Sequence, residues 1–167
     1  MKIFSANIED LRTLYTCNLK KALDMEQKIT KALPELIEAS SDSGLASAFR
    51  THLQETEGHV AKVEKLLRDV TGSTETETCP VINGLTTEAA DTIKDVTDPA
   101  VRDIALIGAA QQVEHHEIAV YGTLRNWAEL LGLTEHATVL ETIEQDEINA
   151  DELLTSLSER VNLEAAA

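Results

Sequence analysis

The sequence contains few of the residues from which β-sandwiches and disulfide-stabilised proteins are built. Aromatic residues make up only 3% of the 167 residues, and the chain has two cysteines, three prolines and seven glycines. Because hydrophobic residues nevertheless reach 43%, leucine, alanine, isoleucine and valine must build the core, as is typical of a helical bundle. Glycine and proline fall mostly between periodic segments, so the composition predicts long helices.

Basic residues are also scarce, with 14 Lys and Arg against 30 Asp and Glu and a formal net charge of −16. This charge argues against partners that are nucleic acids or anionic membrane surfaces, because both need a basic binding surface. The sequence shows no apolar run suited to a membrane span and no signal peptide. Cys17 and Cys79 form neither a disulfide scaffold nor a metal-binding pair, so we expect a cytoplasmic protein with reduced thiols.

Hydrophobic periodicity predicts four long helices, at about residues 7–39, 45–70, 99–131 and 135–161. Short breaks after the first and third helices imply two antiparallel hairpins, and Asp98-Pro99 is a strong start for the third helix. The connection 71–98 is polar as far as Pro80 and carries a short helix from about Thr87 to Val96. We therefore predict one all-α domain, residues 1–167, folded as a ferritin-like four-helix bundle with a long crossover between its second and third helices.

Each predicted helix carries acidic residues on or beside its apolar stripe. In the third helix, Glu114 and Glu117 share a face with Ile107, Ala110 and Tyr121, at spacings of three or four residues. A buried carboxylate is costly unless it is paired or bound to a cation. The corresponding candidates on the other helices are Glu26, His52, Glu55, Glu144 and Glu147.

Inward carboxylates on all four helices, with partners three residues away, are typical of a carboxylate-bridged two-metal site. Two divalent cations there need oxygen donors and about one imidazole each. His52 is one candidate imidazole and His59 an alternative. The second helix has His-x-x-Glu and the fourth Glu-x-x-Glu, whereas ferritin-like sites typically use Glu-x-x-His. Side chains placed to orient the ligands are His115, Tyr121 and Asp151, and His115 and His116 cannot both face the centre.

Four segments carry a family resemblance that extends over most of the chain. They are MEQKITKALPEL (25–36), AFRTHLQETEGHV (48–60), AAQQVEHHEIAVYGTL (109–124) and DEINADELL (146–154). In this order they resemble the YciE/YciF family, which comprises bacterial stress-associated proteins of the ferritin-like superfamily.

The resemblance implies a cytoplasmic four-helix bundle that forms a homodimer and holds a di-metal centre. The positions that match the family are Glu26, Glu55, Glu114, Glu117, Glu147, His52, His115 and Asp151. Two positions depart from the family pattern: Leu23 stands where we expect a tyrosine, and His116 replaces an aromatic residue. Neither departure touches the main ligand candidates, and the family has no well-established reaction.

These observations predict a protein that binds two divalent transition metal ions, iron or manganese, in the bundle core. Such a centre reacts with dioxygen or peroxide, which suits a role in stress response. The alternative is a non-enzymatic protein that acts as a stress-induced dimer or sequesters metal. The sequence pattern designates metal ligands but no catalytic residue.

Overall fold

The computed structural model describes residues 8–165, with side chains to residue 162, and within that range it contains five α-helices and no strand. The helices are α1 (Leu11–Ala39), α2 (Ser43–Thr71), α3 (Pro80–Asp95), α4 (Pro99–Leu130) and α5 (Thr134–Ala165). α1 packs along α2 and α4 packs along α5. Further contacts join α2 to α5 and α1 to α4, while α3 packs against α1 and α4. The all-α prediction is confirmed, and no helix of the described residues could cross a membrane.

The ends of the four long helices lie close to the predicted positions. The predicted start at residue 7 lies outside the described residues, and α1 begins at Leu11 after its N-cap, Asp10. α2 begins at Ser43, two residues earlier than predicted, because the Asp42 carboxylate accepts a hydrogen bond from the Leu45 N–H at 2.8 Å. Gly72 and Gly132, with φ of 72° and 71°, follow the ends of α2 and α4 in the left-handed conformation that glycine adopts without strain.

The largest difference from the predicted elements lies in the connection between α2 and α4. We predicted a short helix from about Thr87, but α3 begins at Pro80. Proline is favoured at the first helical position, since its missing N–H has no helical partner there. In the first turns of α3, the Thr86 and Thr87 hydroxyls donate hydrogen bonds to the carbonyls of Ile82 and Asn83, at 2.8 and 2.7 Å. The Ile82 side chain is fully buried and anchors this end of α3 in the core.

Polar contacts fasten the turn between α1 and α2 to the other two long helices. Asp103 on α4 is buried and accepts hydrogen bonds from the backbone N–H groups of Ser41 and Asp42, at 2.9 and 2.8 Å. The Ser41 hydroxyl also donates to this carboxylate. From α5, the Arg160 guanidinium donates to both carboxylate oxygens of Asp42, at 2.7 and 2.8 Å. These contacts fix the height of the α1–α2 pair relative to the α4–α5 pair.

We expect the substitution Asp103→Ala to lower the free energy of unfolding by about 2–3 kcal/mol, because it removes the buried carboxylate that accepts three hydrogen bonds from Ser41 and Asp42. Asp91→Ala is the matched control, since it removes an exposed carboxylate from α3, and such surface changes usually stay within about 0.5 kcal/mol. Urea unfolding measured by circular dichroism checks both values. Equal stability of the two variants would contradict the role given to Asp103.

Candidate metal centre

Six buried polar side chains, four glutamates and two histidines, meet in the interior between the four long helices. None of the six is more than 5% exposed. α1 supplies Glu26, α2 supplies His52 and His59, α4 supplies Glu114 and Glu117, and α5 supplies Glu147. Each lies on the core-facing side of its helix, at a position that would normally hold an apolar residue.

The first cluster consists of His52, Glu114, Glu117 and Glu147, with one ligand atom of each lying within 4.8 Å of all the others. His52 Nε2 lies 3.4 Å from Glu114 Oε1 and 4.0 Å from Glu117 Oε2. His52 Nδ1 lies 3.9 Å from Glu147 Oε2. Donor atoms about 2.1 Å from one shared cation are separated by at most about 4.2 Å. A small contraction of this cluster would therefore bring all four donors onto one cation.

The second cluster consists of Glu26, His59 and Glu147, again with ligand atoms within 4.8 Å of one another. His59 Nδ1 lies 2.9 Å from Glu147 Oε1 and 3.8 Å from Glu26 Oε1. Glu147 belongs to both clusters, and its two oxygens face different histidines. This arrangement suits a carboxylate that bridges two cations.

Hydrogen bonding leaves these six side chains incompletely satisfied. Among the described residues, nine buried side-chain nitrogen and oxygen atoms have no partner in hydrogen-bond geometry, and all nine belong to the two clusters. Two of the nine, His59 Nδ1 and Glu147 Oε1, are in ion contact with each other at 2.9 Å. Both oxygens of Glu117, both oxygens of Glu147 and both ring nitrogens of His52 are among them. Buried polar groups are nearly always hydrogen-bonded, so such a concentration of unpaired atoms is unusual, and these atoms are of the kind that could hold a cation.

Glu26, Glu114 and Glu117 have pKa values that favour the neutral carboxyl group. Burial, followed by repulsion from Glu147, raises the pKa of Glu26 to about 8. The same two effects raise the pKa values of Glu114 and Glu117 well above the ordinary value. Carboxylates that share a dry site cannot all ionise without a compensating positive charge. A divalent cation would supply that charge in place of the protons.

The pKa values of the two histidines are shifted in opposite directions. Burial lowers the pKa of His52, which favours the neutral imidazole that binds metals. Burial also lowers the pKa of His59, but its contacts with Glu147 and Glu26 outweigh that effect and raise the pKa to about 9. In the absence of a metal, His59 therefore carries a proton that a cation must displace.

The structure brings five of the seven predicted ligands together: Glu26, His52, Glu114, Glu117 and Glu147. It does not bring Glu55 or Glu144 into either cluster. Glu55 is exposed on α2. The Glu144 carboxylate accepts a hydrogen bond from Arg125 Nε at 2.8 Å, and this ion pair neutralises it at the edge of the bundle.

His59 enters the site in place of Glu55 because of helix geometry. Positions seven residues apart differ by only about 20° around a helix, whereas positions three apart differ by about 60°. His52 and His59 therefore share one face, and Glu55 points to its edge. Thr56 lies between the histidines, fully buried, and its hydroxyl donates to the His52 carbonyl at 2.8 Å. The sequence offered His59 only as an alternative because the apolar stripe of α2 is wide.

Asp146 is a neighbour of the site that the sequence pattern did not single out. Its Oδ2 atom lies 3.1 Å from His59 Nε2 and 3.4 Å from Lys62 Nζ. A carboxylate bonded to one ring nitrogen fixes the orientation of the imidazole and leaves the other nitrogen for a ligand. In His59 that other nitrogen, Nδ1, faces Glu26 and Glu147.

The three side chains predicted to orient ligands have different surroundings. Tyr121 is fully buried, and its hydroxyl donates a hydrogen bond to Glu26 Oε1. His115 is largely exposed, and its Nε2 atom lies 3.5 Å from Asp151 Oδ2. Asp151 also accepts a hydrogen bond from Gln111 at 3.2 Å. His115 and Asp151 therefore form a contact at the bundle surface, and neither belongs to the two clusters.

Together, the fold and the site define an all-helical protein with a buried site of four carboxylates and two imidazoles. The chain belongs to the DUF892 family, described as a domain of unknown function, whose model matches residues 10–167. Protein YciF of Escherichia coli strain K12 is 35% identical over 153 residues, which cover 91% of this chain and 92% of that protein. The resemblance to the YciE/YciF family is thereby confirmed.

Two solved structures agree closely with this fold. The crystal structure of the E. coli stress protein YciF aligns with a TM-score of 0.88 at 34% identity, over 92% of this chain and 98% of that chain. YcfI from Rhodopseudomonas palustris, described as a candidate structural protein, aligns with a TM-score of 0.87 at 35% identity over the same shares of the two chains.

We expect the metal-free protein to lose stability as the pH rises from about 5 to about 9. The folded-state pKa of Glu26, about 8, exceeds its ordinary value of 4.5. Its contribution to stability is therefore complete below pH 4.5 and is lost as the pH rises through 8. His59 acts in the same direction, because its folded-state pKa of about 9 exceeds the ordinary 6.5. Thermal melting of EDTA-treated protein against pH measures this slope, and a flat or rising curve would contradict it.

The substitution Glu117→Gln distinguishes the cost of ionising a buried carboxyl group from the general effect of the negative net charge on stability. A neutral amide at this buried position needs no proton, so we expect the variant to melt several degrees higher than wild type at pH 8 without metal. Glu57→Gln removes the same charge from an exposed position on α2, and we expect it to follow the wild-type curve. If Glu117→Gln melts at or below the wild-type temperature at pH 8, the cost assigned to this carboxylate is wrong.

Proposed function

We propose that this chain is a di-metal carboxylate protein with a ferritin-like bundle, which binds two iron or manganese ions between its four long helices. The concentration of unpaired buried donor atoms in six residues supports this proposal most directly. Four carboxylates carry the charge that two divalent cations neutralise. Glu147 belongs to both clusters, which supports two neighbouring cation positions that share one carboxylate.

The donor set matches this class in composition and differs from it in distribution. Ferritin-like di-metal sites use a glutamate from each of two helices and a Glu-x-x-His pair from each of the other two. This chain has the same four glutamates and two histidines. Both histidines, however, are on α2, and α4 carries the Glu-x-x-Glu pair Glu114 and Glu117. Mixed carboxylate and imidazole donors suit iron and manganese.

When bound, iron or manganese would supply redox chemistry toward dioxygen or peroxide. The protein residues bind and orient the ions, exclude bulk water and hold the Tyr121 proton against Glu26. A cavity of about 30 Å³ beside His52 and Glu114 has otherwise mainly apolar walls, which include Ile29, Leu33 and Phe49. Its size admits only a very small molecule, which favours a small oxidant over an organic substrate. The description of the E. coli relative as a stress protein supports a role in stress response.

Metal stoichiometry after loading with Mn(II) or Fe(II) tests the proposal. We expect two ions per wild-type chain, about one for His59→Gln, and none retained by Glu147→Gln, because Glu147 belongs to both clusters. Glu144→Gln is the matched control from the same helix, since Glu144 is bonded to Arg125 outside the clusters, and it should retain two ions. Elemental analysis of gel-filtered protein gives the numbers. A wild-type protein without metal, or a Glu147→Gln variant with two ions, would overturn the assignment.

A second measurement separates catalysis from sequestration, the alternative that the same site permits. We expect Fe-loaded wild type to convert hydrogen peroxide to water and dioxygen over many turnovers, one peroxide being oxidised for each one reduced, at a rate that falls at least tenfold in Glu147→Gln and stays unchanged in Glu144→Gln. An oxygen-electrode or dye-coupled peroxide assay measures the rate. Two bound ions with no turnover would overturn the enzymatic role and leave a metal-sequestering protein.

A further inference from the structure

A cleft between α2 and α5 leads from the protein surface to the inner residues of the site. Its volume is about 110 Å³. Near the surface it is lined by Glu55 and Asn149, which are exposed, and by Asp146, which is about one third exposed. At its inner end lie His52 and Glu114, both nearly completely buried. The cleft therefore joins solvent to two members of the first cluster.

The residues at the inner end of the cleft have donor atoms that are not used in hydrogen bonds. Neither ring nitrogen of His52 has a hydrogen-bond partner, and Glu114 Oε2 also has none. His52 is 5% exposed and Glu114 is 3% exposed, so bulk water does not satisfy these atoms. An ion that reached this end of the cleft would meet unpaired donors of the kind that bind divalent cations.

The residues at the mouth are suited to a cation that still carries part of its water shell. Glu55 on α2 and Asp146 on α5 line the same cleft from opposite helices. Partial desolvation, together with the neighbouring carboxylate of Asp146, raises the pKa of Glu55. Carboxylates that line a cleft concentrate cations there and speed their association. Asp146 also contacts His59, so it connects the mouth with the second cluster.

The other cavity beside His52 and Glu114 has far fewer polar groups that could bind a cation on its way to the site. Apart from these two residues, its walls are almost entirely apolar and include Leu33, Leu36 and Ala110. A cation that passed through it would lose its water before it met a ligand, and an unpaired charge in apolar surroundings is very costly. The difference in chemistry between the two cavities favours the cleft between α2 and α5 for a charged species.

We propose that the cleft between α2 and α5 is the route by which divalent cations reach the metal centre, with Glu55 and Asp146 as transient ligands at its mouth. This proposal rests on the proposed function and adds a role for residues outside the two clusters. It also explains why an acid stands at position 55 although it points away from the interior. Glu55 acts on the rate of metal uptake and not on the number of ions held.

Uptake of Co(II) by the metal-free full-length chain, followed in a stopped-flow instrument through the visible absorption of bound cobalt, tests this route. We expect Glu55→Gln to bind two ions but to take them up several-fold more slowly than wild type, and Glu55→Lys to be slower still. Glu57→Gln has the same change in charge, also at an exposed position of α2, and should match the wild-type rate. The wild-type rate should fall more steeply with salt than that of Glu55→Gln, because salt screens the attraction at the mouth.

The possible outcomes separate the route from the site itself. If wild type binds no cobalt, manganese or iron, the proposed function fails and the route fails with it. If wild type binds two ions and all variants take them up at the same rate, the route is wrong and the proposed function stands. If Glu55→Gln holds fewer ions than wild type at saturation, Glu55 is a resident ligand and the proposal is overturned.

Discussion

Four carboxylates enclosed away from water, within a few ångströms of one another, impose the main energetic demand on this structure. Burial, followed by repulsion from Glu147, raises the pKa of Glu26 to about 8, and the same two effects raise the pKa values of Glu114 and Glu117. His59 supplies at most one positive charge from within the site. Without a cation, some of these carboxyl groups must stay protonated at a pH where glutamate is normally ionised. The interior therefore lacks positive charge that its own side chains do not supply.

Contacts elsewhere in the fold keep these four carboxylates close together despite their burial and mutual repulsion. The six side chains of the two clusters come from four helices, so a change in the height of one helix would separate the clusters. The Asp103 carboxylate holds the α1–α2 turn against α4, and the Arg160–Asp42 ion pair holds the same turn against α5. At a different contact, Tyr15 on α1 bonds His136 on α5 through its hydroxyl, at 2.9 Å. Contacts of this kind give the preorganisation that a multi-helix metal site requires.

Helix periodicity was sufficient to predict the long helices and most of the interior acids, because an acid in an apolar stripe is conspicuous. Glu26, Glu117 and Glu147 were predicted in this way, and all three are fully buried. The choice between Glu55 and His59 depended on the rotation of α2, which tertiary packing determines and a wide apolar stripe leaves open. Asp146 and Asp103 act through partners more than 60 residues away, so no local pattern indicated their contacts.

Anomalous scattering from crystals grown with Mn(II) or Fe(II) would locate bound ions directly. If the buried carboxylates hold two cations, the anomalous map has two peaks per chain inside the bundle. One should lie among His52, Glu114, Glu117 and Glu147, and the other among Glu26, His59 and Glu147, with Glu147 in contact with both. Peaks only at surface acids, or a metal-soaked crystal with no peak between the helices, would contradict the two-cation site.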